Sequence, residues 1–160
     1  MDAELPLQRK WSFRAHGERL VLVKRRFEKA EHVWMKALLW ALFRPQYPHL
    51  RVEVSVRERY RPDLVAREEN GEIVFWAEAG QVRTKKIIEV ALRHRGAHLV
   101  IAKWARPAHT LKTDVERRLG GVRRKAPVEF LCFPADAASR FIATDGTLSI
   151  ERNSVGLNWA

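Results

Sequence analysis

The strongest periodic signal in the chain lies over residues 28–43, where Ala30, Val33, Trp34, Ala37, Leu38, Ala41 and Leu42 recur at intervals of three and four. That spacing puts a wide apolar stripe on one side of a helix. Met35, Leu39 and Trp40 carry the stripe further round, so the helix is expected to pack on two sides. Pro45 stops it, because proline lacks the N–H and clashes with the preceding turn. Ahead of the helix, residues 11–16 and 19–25 read as two strands joined at Gly17, with Leu20 and Leu22 alternating against Val21 and Val23 as in a buried strand. Residues 50–56 alternate Val52, Val54 and Val56 with Arg51, Glu53 and Ser55, the pattern of a half-buried strand.

Residues 60–66 and 73–81 flank Asn70-Gly71, a dipeptide that favours a type I′ hairpin because both central residues tolerate positive φ. Leu64, Val65, Val74, Phe75 and Trp76 are apolar enough for strands buried on both faces. An amphipathic helix follows over 83–94, with Ile87, Ile88, Ala91 and Leu92 inward, Lys85, Lys86, Glu89 and Arg93 outward, and Gly96 closing it. Residues 97–104 form a continuous apolar strand, 110–119 a short polar helix ended by Gly120-Gly121, and 128–133 another strand. Residues 136–142 make one or two helical turns, and Asp145-Gly146 turns the chain into a last strand over 147–152. Strands alternating with helices predict an α/β fold, a mixed sheet flanked by helices. Residues 1–160 read as one domain, with no repeat or linker.

Composition narrows this picture. A hydrophobic fraction of 46% beside 31% charged residues belongs to an ordered globular chain. The longest apolar run, around Ala37 to Phe43, is far short of the roughly 20 residues a bilayer requires, so no membrane association is expected. Residues 1–5 lack the basic and apolar regions of a secretory signal, which makes the cytoplasm the expected location. The single cysteine, Cys132, lies in an apolar strand and reads as a buried, inert residue. The charge is the unusual property. Thirty basic against 19 acidic residues give a net +11, which attracts polyanions. Basic clusters at 24–26, 83–86, 93–95, 117–118 and 123–125 recur near element ends, so nucleic acid is the expected partner, with a dispersed solvated surface as the other reading. Arg61, Arg83, Arg93, Arg95 and Lys103 are the expected contacts.

The candidate chemistry sits on the 60–81 hairpin. Asp63 and Glu78 lie near the ends of otherwise apolar strands, where an unpaired carboxylate needs a cation, a donor or water. Pro62 suits the first position of a strand. The two acids can converge on a hard divalent ion, Mg²⁺ or Mn²⁺, with the Ala79 carbonyl as a further oxygen ligand. The competing reading is a surface hairpin whose acids are solvated or paired with Arg61 and Arg83.

Pro62-Asp63, then Glu78-Ala79-Gly80, with a preceding helix carrying Glu31 and a following one carrying Lys85 and Lys86, resembles the PD-(D/E)XK nuclease superfamily. The helix over 31–42, Pro62-Asp63-Leu64, Asn70-Gly71-Glu72-Ile73 and Trp76-Ala77-Glu78-Ala79-Gly80-Gln81 resemble more closely the YaeQ family, over most of the chain. The resemblance implies a restriction-endonuclease-like core and metal-dependent hydrolysis of DNA, less readily RNA. It implies Asp63 as principal metal ligand, Glu78 as the second, and Glu31 approaching from the first helix, where its other role is a carboxylate in the helix's first turn. Gly80 stands where active nucleases of this type carry a lysine, so Lys85 or Lys86 is implied to reach back into the site. Glu89 stands where the family pattern has a further lysine. Gln81 either contributes a polar contact or caps its strand. With Gly80 in that position, the alternative is a nuclease-like fold without turnover that binds nucleic acid or a protein partner. Other chemistries find no footing: the six histidines show no ligand spacing, and no nucleophile elbow or phosphate loop is present. Among six tryptophans, mostly on core faces, only Trp104, beside Lys103 and Arg106, suits base stacking.

Overall fold

A computed structural model describes residues 9–156; Trp159 and the first five residues lie outside it. Two strands, β1 (Arg9–Ala15) and β2 (Glu18–Lys24), pair antiparallel as a separate hairpin. His16 and Gly17 both take positive φ at its tip, 55° and 74°, so the type I′ turn of this protein lies here. Leu22 is buried while Val21 and Val23 are exposed, so β2 is covered on one face only.

Helix α1 (Ala30–Phe43) then crosses one face of a five-stranded sheet, and every residue from Met35 to Phe43 is buried, as its all-round apolar surface requires. The sheet has the order β3 (Arg51–Val52), β4 (Leu64–Arg67), β5 (Ile73–Ala79), β6 (His98–Trp104), β7 (Val128–Phe133). β4 runs antiparallel to both its neighbours, β3 and β5, while β5, β6 and β7 are parallel. Helices α2 (Thr84–Arg93) and α3 (His109–Leu119) form the two parallel crossovers and pack together on the face opposite α1. Right-handed crossovers impose that common face. The core is thus double. Leu64, Phe75, Ala77, Val100 and Phe133 meet α1, while Val65, Trp76, Leu99, Ile101 and Phe130 meet α2 and α3.

Four expectations are corrected. The strand expected over 50–56 stops after Val52, because Glu53 takes φ 59° and turns its side chain onto the buried Lys36. The Asn70-Gly71 turn is not type I′. Gly71 has φ 86° but Asn70 does not share it, and Gly71 N–H bonds to Glu68 O while Asn70 Oδ1 accepts the Glu72 N–H. This is a three-residue hairpin loop with the glycine after the turn. In α2, Leu92 faces solvent and Val90 fills the inward position, since 90 and 87 share a helix face. The last strand is absent among the described residues. Thr147 and Leu148 make isolated bridges to Arg14 and Ile142, and Arg152–Ser154 forms a 3-10 turn. The short helix α4 (Ala137–Phe141) fills the expected place of one or two turns.

Candidate functional site

Leu64 pairs with Ala77, so Asp63, one residue before, and Glu78, one residue after, occupy adjacent positions on neighbouring strands. Asp63 Oδ2 accepts the Ala79 N–H at 2.8 Å in the place of a ladder carbonyl. Its N–H donates to Ala77 O at 3.0 Å. The strand end is therefore closed by an aspartate side chain, which holds that carboxylate across the edge of the sheet. Glu78 alternates with Trp76 on the α2 side and is buried. Its Oε2 accepts the Trp76 indole N–H at 2.7 Å and the Lys86 ammonium at 2.9 Å.

Burial pushes the Glu78 pKa up, and the Asp63 charge adds to this against the opposing pull of Lys86 and Trp76. Glu78 is thus a buried carboxylate with a like charge beside it. On the other side of the sheet, His32 of α1 places Nε2 3.3 Å from Asp63 Oδ1 and Nδ1 2.6 Å from Glu28 Oε2. The Asp63 bond raises the His32 pKa despite burial, with Glu28 helping and the Lys36 charge opposing. Lys36, only 1% exposed, joins Glu28 at 2.6 Å and also pairs with Glu53. Burial opposes the ionisation of Glu28, but bonds from Lys36, the Arg25 N–H and His32 bring its pKa below the ordinary value. A polar rail thus runs Glu53, Lys36, Glu28, His32, Asp63 along an otherwise apolar helix.

Two expected residues lie elsewhere. Lys85 is 73% exposed and its ammonium is 4.0 Å from Glu89, one helical turn on, so only Lys86 reaches the acids. Glu31 does not join Asp63; it faces the neighbouring cleft, because residue 32 holds the helix position that meets the strand end. Among the described residues no group of three His, Cys, Asp or Glu side chains is placed to hold a metal ion. Gln81 is exposed on that same cleft. Gly80, at φ 87°, takes a backbone conformation that favours glycine, with Met35 and His32 at ordinary contact distance, 3.8 and 3.9 Å, from where a Cβ would lie. Lys103 donates to Gly80 O at 2.7 Å, and burial, then the charge of Arg106, lowers its pKa.

The expected basic contacts separate into two groups. Arg61 lines the cleft of about 390 Å³ that exposes Asp63 and donates to Glu53 O, and Arg83 precedes α2 at the same end of the sheet. Lys103 lies on the larger cleft. Arg93 and Arg95 lie at the far end of α2, where Arg93 pairs with Glu58 and Arg95 bonds to Leu92 O, away from the acids. Arg124 is also structural: it donates to the carbonyls of Ala91, His94, Ala97 and Ala126.

Sequence reasoning missed His32 and Lys36. Their signal is Glu28, His32 and Lys36 at intervals of four, a charged line inside a helix whose other positions are apolar.

The acids therefore sit where antiparallel and parallel pairing meet, at the carboxyl end of β5 in a helix-flanked mixed α/β sheet. Solved structures with this architecture include the YaeQ protein from Pseudomonas syringae, with a TM-score of 0.59 and 14% identity over 84% of this chain and 70% of that one. The YaeQ protein from Xanthomonas axonopodis pv. citri is similar at a TM-score of 0.59 and 18% identity, over 84% of this chain and 77% of that one. The likeness is one of fold. No family model and no curated protein matches the chain. Among the described residues, no helix is long and apolar enough to cross a membrane.

Proposed function

We propose that this chain is a metal-dependent phosphodiesterase of the PD-(D/E)XK type, acting on DNA and less readily on RNA. The supporting observation is the pair of carboxylates, Asp63 and Glu78, at adjacent strand ends, where burial and then the Asp63 charge raise the cost of ionising Glu78. Such a pair is relieved by a cation. The donor set fits Mg²⁺ or Mn²⁺: two carboxylates and the Ala79 carbonyl are hard oxygens, and Mg²⁺ needs only one or two carboxylates with water completing its shell. A bound ion would polarise a phosphate oxygen and lower the pKa of a water molecule.

The chain's own residues supply the remainder. Lys86, with its ammonium 2.9 Å from Glu78, is positioned to offset phosphate charge beside the acids. His32 holds a proton at Nε2 beside Asp63 and fixes the orientation of that carboxylate, while Glu28 and Lys36 fix the imidazole. Arg61 lies on the cleft where Asp63 is exposed, ready for a phosphate.

The second reading, a nuclease-like fold without turnover that binds nucleic acid or protein, draws on Gly80 and on the pairing of both acids with internal cations. One experiment separates them. Calorimetric titration with Mg²⁺ and Mn²⁺, paired with cleavage of plasmid and oligonucleotide DNA, is expected to show uptake and cleavage that both vanish in Asp63→Asn. Absence of metal uptake by the unaltered protein would remove the hydrolytic reading.

A further inference from the structure

A cleft of about 740 Å³ lies at the carboxyl ends of β5 and β6, against the residues that follow Glu78. Its composition is unlike that of the Asp63 cleft. Phe27 stands on its rim with 89% of its surface exposed, and the Arg26 guanidinium lies 5.2 Å from its ring centroid. Trp104 forms part of its wall, held from behind by Trp34 with ring centroids 5.7 Å apart. Three cations, Lys29, Lys103 and Arg106, line the same cleft. Glu28 also lines the cleft, but its charge is met by Lys36 and His32; Glu31 is the remaining acid. Burial, then the charge of Arg106, raises the cost of charging Lys103, a condition an anion relieves.

We propose that this cleft binds single-stranded nucleic acid, with bases stacked on Phe27 and Trp104 and phosphates met by Lys29, Lys103 and Arg106, and that it leads the strand toward Asp63 and Glu78. Aromatic faces interleaved with cations suit unpaired bases, because a duplex hides the base faces that the rings would cover. Gly80 lines the cleft two residues after Glu78, and its carbonyl holds Lys103. This inference deepens the proposed function by naming the substrate class, and it rests on that reading only for the direction of the strand.

The test is fluorescence anisotropy with a short labelled oligothymidylate and a duplex of equal length, on the full chain. The single strand is expected to bind at least about tenfold more tightly than the duplex. Phe27→Ala should weaken single-strand binding about tenfold, the loss of one stacked base. Lys103→Ala with Arg106→Ala should weaken it and flatten its salt dependence. Arg93→Ala with Arg95→Ala, the same charge change at the far end of the sheet, should leave it unaltered. Equal affinity for both nucleic acids, or full affinity in Phe27→Ala, overturns the inference. Asp63→Asn keeps the two proposals apart: single-strand binding with no cleavage in any protein removes the hydrolase and keeps this cleft, whereas duplex cleavage without single-strand preference does the reverse.

Discussion

His32 is held between two carboxylates, and its raised pKa sets the sign of its effect. A histidine whose folded pKa lies above its unfolded value of about 6.5 stabilises fully below that value, and the contribution is lost as pH rises through the folded pKa. Imidazole NMR is therefore expected to show His32 titrating above the ordinary histidine value, and His32→Asn to abolish a stability loss on the alkaline side. A midpoint at or below the ordinary value would remove the rail's charge logic. Glu78 acts in the same direction, starting from the carboxylate range. A raised carboxylate pKa means stability falls as pH climbs from about 4.5 through the folded value, so ionised Glu78 weakens the fold at neutrality. Glu78→Gln should raise the melting temperature near pH 7 by the equivalent of about 0.5–2 kcal/mol and change little near pH 4, a common trade at functional sites. A lowered melting temperature at pH 7 would show that the Lys86 ion pair outweighs burial. That Asp63 and Glu78 lie side by side is legible because acids at apolar strand ends stand out in a sequence. His32 is not, since its role depends on Asp63 arriving from a strand 31 positions away, as the pair's numbering shows.

Elements with strong periodicity, α1, α2, β5 and β6, were legible almost to their ends, because burial on one or both sides leaves its mark at every position. The errors fall where a tertiary contact overrides a local pattern. Val52, Val54 and Val56 alternate well, yet the demand of buried Lys36 for a second carboxylate bends the chain at Glu53. The C-terminal segment is similar: Gly146 brings its backbone against β1, with Arg14 N–H bonding to Gly146 O at 2.9 Å and Leu148 N–H to Arg14 O at 2.8 Å. At Gly146 a Cβ would fall on the Ser12 carbonyl, and φ is 88°. Gly17 has a similar φ of 74° with open space around it. Comparing alanine at the two sites separates strain from collision. Gly17→Ala should cost about 1–2 kcal/mol, the left-handed penalty alone. Gly146→Ala should exceed that in urea unfolding, since backbone must also move. Equal costs would show that the segment docks loosely on β1.

Across the whole molecule, two histidines sit on opposite ends of the sheet and act in opposite directions. His98, at the start of β6, bonds to the Tyr47 hydroxyl at 2.9 Å and to Glu129 at 2.8 Å. Burial, then the charges of Arg152 and Arg124, lowers its pKa to about 4. Arg152 also pairs with Glu129, so that carboxylate does not hold a second proton on the ring. A histidine with a depressed pKa favours the fold above its unfolded value of about 6.5, and the benefit is lost as pH falls toward the folded value. Paired carboxylates such as Glu28 begin to fail only below about pH 4.5, where their unfolded forms take up protons. His98 therefore governs the limb just below neutrality and His32 the limb just above it. Stability to urea should form a dome centred near pH 6.5, apart from the shallow opposing slope of Glu78. His98→Gln should flatten the acid limb between about pH 6 and 5 while leaving metal uptake intact, because that end of the sheet holds none of the candidate ligands. His32→Asn should flatten the alkaline limb and also disturb Asp63. A single limb that responds to both substitutions would mean the two ends of the sheet titrate as one unit, and the independence of site and scaffold would fail with it.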